Sequence, residues 1–131
     1  MAVEKSWTDS TGKLSIVASA TIDQYEVVKM TGNRTCKPTT AASDVVVGVA
    51  LTAATATGIA VDVLAVNHGG TCPGVLAAST TAGAKVYPFA GGLLKAAATV
   101  ASAVPIGVCV SGATVVGSRV EWLPIGAIAT T

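Results

Sequence analysis

Charge is scarce in this chain. Acidic and basic residues fill 11% of its 131 positions, against about a quarter in an ordinary soluble domain. The eight basic and seven acidic residues stand singly. No run of Lys or Arg can track a phosphate backbone, so no nucleic-acid partner is expected. Long apolar runs are missing as well. Thr, Gly, Ser, Asn or Pro breaks every apolar stretch before it reaches the roughly 18 residues of a membrane span, so a soluble chain with no membrane partner is expected. The opening MAVEKSWTDSTGK has no basic segment leading into an apolar run. It does not read as a secretion signal, which implies a protein made in the cytoplasm. One histidine, His68, and three cysteines, Cys36, Cys72 and Cys109, leave few groups that could converge on a reaction centre. The cysteines lie 36 and 37 residues apart, which fits no local metal knuckle. They are expected to be buried or half-buried thiols, with a disulfide between two of them left open.

What is abundant is small and apolar. Hydrophobic residues make up 51% of the chain, yet only five are aromatic, and the rest are dominated by Ala and Val. A chain of this length buries roughly two thirds of its unfolded surface, enough for a core without metals or disulfides. An exterior this neutral is expected to be covered by other subunits.

An internal repeat organises the sequence. Shifted by 59 residues, positions 21–64 fall on 80–123 without a gap, with 14 of 44 identical, Gly32 on Gly91, Gly48 on Gly107 and Gly58 on Gly117 among them. Glycines at a fixed offset imply shared turns. VVVGVAL from Val45 and VPIGVCV from Val104 are β-branched and read as buried strands. GIAVDVLAV from Gly58 and GSRVEWLPI from Gly117 alternate: Val61, Val63, Val120 and Trp122 face one way, and Asp62 and Glu121 the other. YEVVKM from Tyr25 matches AKVYPF from Ala84, each followed by a turn and a hairpin return. A further pair, 15–18 and 74–77, gives about five strands per copy. Pro88 and Pro105 fall inside expected strands, which points to an edge or bulge in the second copy. The Ala- and Thr-rich pieces 39–43 and 96–103 are expected to be loop or a single helical turn.

The fold expected is all-β, a single β-barrel or β-sandwich built from two pseudo-symmetric strand repeats sharing one core, with an extended N-terminal arm. The arm covers residues 1–13, and the β domain residues 14–131. Within that domain, repeat one spans about 14–66, the linker 67–73 and repeat two about 74–125. The arm is polar apart from Trp7, and Trp7, Val3 and Leu14 are the candidate subunit contacts.

No catalytic, cofactor-binding or metal residues are expected. His68 and Cys72 share the Gly-rich linker NHGGTCPG, where a thiol and an imidazole could form a nucleophile and base, but no third group is at hand to orient them. Asp62 and Glu121 hold the same outward repeat position, where solvated charge or a salt bridge to Arg119 or a neighbouring chain is the expected outcome. Tyr25, Tyr87 and Trp122 could in principle stack a sugar, but their place in strands favours core packing.

The order of these features, Val27–Lys29, a turn, a Thr/Ala-rich spacer with Ser43 and Asp44, VVGVA at 46–50, then GIAVDVL at 58–64, resembles the small capsid cement or head decoration proteins of tailed phages. The likeness runs from Leu14 to about Pro124, leaving out the arm and the cysteines. It implies a β-barrel or sandwich on the outer surface of the virion capsid, commonly a homotrimer, that ties major capsid protein subunits together without a cofactor. Such a protein stabilises the shell by binding its expanded form through many weak contacts repeated over the lattice. The alternatives that the sequence leaves open are another virion β protein, tail or fibre associated, and a surface glycan-binding module.

Overall fold

The computed structural model describes residues 12–96 and 103–125. The first repeat forms β1 (Lys13–Ala18), β2 (Val27–Gly32), β3 (Thr35–Pro38), β4 (Gly48–Ala50) and β5 (Ala60–Ala65). The second forms β6 (Cys72–Val75), β7 (Lys85–Phe89), β8 (Leu93–Lys95), β9 (Gly107–Ser111) and β10 (Arg119–Pro124), with a short 3-10 turn at Ala90–Gly92. The chain is all-β, as its alternating patterns predict.

Both repeats have one topology. The first is a closed barrel in the order β1-β3-β2-β4-β5, and the second is a five-stranded sheet in the order β6-β10-β9-β7-β8. Closure of the first rests on β1 lying parallel to β3, where Val17 N and Ser19 N donate to Arg34 O and Cys36 O. In the second, the matching approach is an isolated parallel bridge between Leu76 and Leu94, with Ala77 N donating to Leu94 O.

Strand pairing corrects the ungapped repeat. Val17 opposes Ala60 and Val75 opposes Arg119, so the first strands are related by 75 − 17 = 58 and the last by 119 − 60 = 59. Val28 opposes Gly48 and Val86 opposes Gly107, again 58 against 59. Three strands therefore run at 58 and two at 59. The extra residue of the second copy falls between β8 and β9, in the Ala-rich spacer whose residues 97–102 lie outside the described structure. At the corrected offset Tyr25 coincides with Gly83, and both have positive φ, 73° and 88°. Arg34 and Gly92 coincide in the same way, at 55° and 73°.

The expected single core is divided in two. Ile16, Ala18, Ile22, Val28, Cys36, Ala50, Val61 and Val63 fill the barrel. Leu76, Val86, Leu94, Cys109, Val120 and Trp122 fill the second sheet, which borrows Val27 and Val49 from the outside of the barrel. Along β2 and β4, then, Val28 and Ala50 point into the barrel while Val27 and Val49 point at the second repeat. A segment covered on both sides reads as an unbroken apolar run, which is why 46–50 shows no alternation. The repeats also meet through polar backbone: Thr39 Oγ1 donates to Phe89 O at 3.0 Å, and Gly92 N donates to Thr39 O at 3.1 Å.

The two interiors are filled differently. By pairing, Ile16 and Val63 of repeat one correspond to Gly74 and Trp122 of repeat two. A β-carbon on Gly74 would lie 3.0 Å from Trp122 Cδ1 and Nε1 and 2.4 Å from Leu94 Cδ1. The indole thus occupies the space that a side chain at 74 would need.

Two expectations about strand extent change. The strand expected over 45–51 begins only at Gly48. Before it, Asp44 closes a turn by accepting hydrogen bonds from Thr40 N and Ala41 N, and the chain first meets β2 when Val47 N donates to Val28 O. Pro105 precedes β9 altogether, while Pro88 lies past the last β7–β9 pair and faces only β8 on the ladder, where its missing donor is tolerated.

Candidate functional site

The linker thiol and imidazole do come near each other, with Cys72 Sγ 4.0 Å from His68 Nδ1. The same nitrogen lies 2.8 Å from Ala65 O and must carry the proton to bond that carbonyl. It therefore cannot accept a proton from the thiol. Cys72 is buried, and burial pushes its thiol up to about 11. Burial likewise raises the thiols of Cys36 and Cys109. All three cysteines are free and buried, so the disulfide left open by the sequence is not formed and none of the thiols is activated.

Asp62 and Glu121 are exposed on their strands, as the alternation requires. Their backbone N–H groups have matching partners, the hydroxyls of Thr52 and Ser111. The salt bridge expected from Glu121 to Arg119 is replaced: Thr71 Oγ1 donates to Glu121 Oε2 at 2.6 Å, and the Arg119 guanidinium stacks 4.5 Å from the Tyr25 ring centre. Arg119 and Glu121, two residues apart, share the exposed face of β10, but each takes another partner, the guanidinium the Tyr25 ring and the carboxylate the Thr71 hydroxyl. Among the described residues no three His, Cys, Asp or Glu side chains gather as a metal site.

Of the three aromatics weighed for sugar stacking, Trp122 is fully buried and its Nε1 donates to Pro73 O at 2.8 Å. Tyr25 is half-buried under Arg119, and Tyr87 is half-buried. Leu14 packs against the barrel core of its own chain. Trp7 and Val3 lie outside the described residues.

The strongest local electrostatic feature is Asp44. Lys29 Nζ lies 3.1 Å from its Oδ1, while Thr40 N, Ala41 N and Thr40 Oγ1 converge on Oδ2. Burial opposes ionisation here, but these donors outweigh it and hold the carboxyl at about 2. A depressed folded value means that the stabilisation is complete above the ordinary aspartate range and is lost as pH falls from about 4 toward 2. We expect Asp44→Asn to cost about 1–2 kcal/mol at pH 7. Denaturant unfolding of both proteins at pH 7 and pH 2 checks this, and the gap should shrink at the lower pH.

Asp44 is also one of the residues that line an open groove of about 810 Å³ formed by both repeats. Its walls come from both copies: 42–46 and Val66 from the first, Asn67, Gly69 and Gly70 from the linker, and 103–106 and 123–125 from the second. Its apolar walls face water, with Val45 80% exposed, Val104 43% and Leu123 44%. The sequence hides this site, because Val45 and Val104 look like the starts of buried strands.

No protein-family model matches the chain, and no curated protein matches it at a significant level. A solved phage structure shares its fold. The head fiber gp8.5 N base of bacteriophage phi29 superposes with a TM-score of 0.69 over 91% of this chain and 98% of that one, at 11% sequence identity. The uncovered 9% is too little to hold either repeat, so the likeness to the head fiber base takes in both. At this identity what is shared is the architecture, a pair of small strand units in tandem, and not particular side chains.

Proposed function

We propose that this chain is a phage virion structural protein that decorates the outer surface of the capsid, binds the major capsid protein lattice, and self-associates as a homotrimer. The observation that carries the reading is the all-β fold held in common with the base of a phage head fiber. An exterior poor in charge and lined with exposed valines supports it, since such a surface suits close packing against neighbours. No catalysis, cofactor, nucleic acid or membrane enters this role, and the protein is made in the host cytoplasm before joining the virion. Each contact with the shell is weak, and repetition over the lattice makes the sum strong.

A second reading has the same support. In it the chain is the base of a fibre on the phage head, in line with its likeness to the head fiber N base of phi29. Both readings place the protein on heads. Purified protein mixed with heads and with tails, then sedimented, should travel with heads; co-sedimentation with tails alone would overturn both. Electron microscopy of decorated heads then separates them, because a short knob supports decoration and a projecting fibre supports the second reading. Heads lacking the protein are expected to release their genome at a lower temperature than decorated ones, and equal release temperatures would remove the stabilising role.

A further inference from the structure

We propose that the outer face of β7, β9 and β10 docks on the β2–β3 turn of a second copy of this chain, so that copies join head to tail. The joint inside the chain is the template. Across β2, β4 and β5 the pairs Val27–Val49 and Val49–Leu64 set a row on the outside of the barrel, and that row packs against the core of the second repeat. It is a covered row. The pairs Lys85–Val108 and Val108–Leu123 set the corresponding row on β7, β9 and β10, and there Lys85 and Leu123 are exposed, Leu123 at 44%. Val110, the counterpart of half-buried Leu51, adds a further exposed side chain on β9. The apolar face that one repeat covers is therefore open on the other.

The other side of the joint has an open counterpart as well. Within the chain the first repeat meets the turn after β7, where Thr39 bonds Phe89 O and Gly92 N and where Pro88 and Gly92 are buried. The corresponding turn after β2 is bare. Met30, in the place of Pro88, is 42% exposed, and Arg34, in the place of Gly92, is exposed too. The two joints also exchange bulk. A β-carbon on Gly92 would lie 2.6 Å from Glu26 Cβ and 3.1 Å from Pro38 Cβ, which leaves no room for a side chain there. At the offset of 58 that relates these strands, Glu26 and Pro38 correspond to Ala84 and Ala96. Between copies the large Arg34 faces two alanines, whereas inside the chain a glycine faces two larger residues. That matched exchange selects a second copy as the occupant. The barrel is already filled by its own strands, so the contact is made at its surface, and Lys85 in place of Val27 suits a row that enters no core. A contact between two different faces closes into a ring or runs on as a filament. Closure at three gives the homotrimer of the proposed function, on which this inference rests.

Sedimentation velocity of the full-length protein, without heads, tests this. The native chain should run as a trimer. Leu123→Glu and Met30→Glu, one on each side of the joint and both at exposed positions, should run as monomers with unchanged circular dichroism. Val110→Glu should repeat the effect of Leu123→Glu from a neighbouring strand. Mixed in equal amounts, Leu123→Glu and Met30→Glu should form a dimer, because each keeps the face that the other has lost. A contact of one face with itself could not be restored in this way. A native trimer that survives these variants, or a mixture that stays monomeric, would overturn the docking face and leave the homotrimer standing. A native chain that is monomeric at every concentration would overturn both, and co-sedimentation with heads would remain a separate test of decoration.

Discussion

Trp122→Ala is expected to lower the unfolding free energy by about 3–5 kcal/mol, the range for emptying a buried indole site. The side chain is fully buried, gives its N–H to Pro73 O, and lies against both Gly74 and Gly107. Removing it opens a cavity and also leaves the Pro73 carbonyl without that donor. The first repeat suggests a specific rescue. There the same two positions hold Ile16 and Val63, a medium pair in place of glycine and tryptophan. Gly74→Ile alone should be severely destabilising because it collides with the indole and Leu94. Combined with Trp122→Val it should regain a substantial part of the loss, giving a strongly non-additive cycle. Guanidinium unfolding of the four proteins measures this coupling, and simple addition of the single costs would show that the two interiors are not alternative solutions to one packing problem.

Gly107→Ala should cost about 2–3 kcal/mol, as expected for forcing a methyl into a filled site. Its new β-carbon would lie 2.4 Å from Leu123 O on the paired strand and 2.5 Å from Trp122 Cε3. Neither atom can yield, since one is backbone in a ladder and the other belongs to a packed ring. Gly48, its counterpart, meets Leu64 O at 2.4 Å and Val63 Cγ1 at 2.6 Å, and should behave alike. Gly58 and Gly117 recur just as faithfully for another reason. Open space surrounds them, and their φ values of 95° and 86° are what an alanine resists, at about 1 kcal/mol. Thermal unfolding of the four Gly→Ala variants should therefore separate them into a costly pair and a mild pair.

The glycine pattern explains how much of the fold could be read in advance. Gly48/Gly107 open the fourth strand of each copy and Gly58/Gly117 lie in the turn before the fifth, where the offset of 59 is correct, and they anchored the alignment there. Over residues 13–38 the choice was invisible. Offset 59 gives four identities, at Ala18, Thr21, Val27 and Gly32, and offset 58 also gives four, at Val17, Ala20, Val28 and Lys37. Only hydrogen bonds decide between them. Gly32 and Gly91 match by letter but do not share a backbone role, while Tyr25 and Gly83 share one without matching. Alternation placed Val61, Val63, Val120 and Trp122 correctly because β5 and β10 each have one solvated face. The division into two cores was hidden because valines that line the barrel and valines that lean on its outside alternate within one apolar run. The groove was hidden for a related reason, since a hydrophobic residue at the mouth of a concavity has the same letter as one inside a core.

The asymmetry of the two cores bears on the order in which the polypeptide matures. The barrel completes its interior from its own strands, whereas the second sheet needs Val27 and Val49 as part of its lining. During synthesis the half that leaves the ribosome first is also the half whose lining is drawn wholly from its own strands, so its interior contacts do not wait for the twin that emerges later. A chain with the halves exchanged would face the reverse situation, making first the part that has to wait.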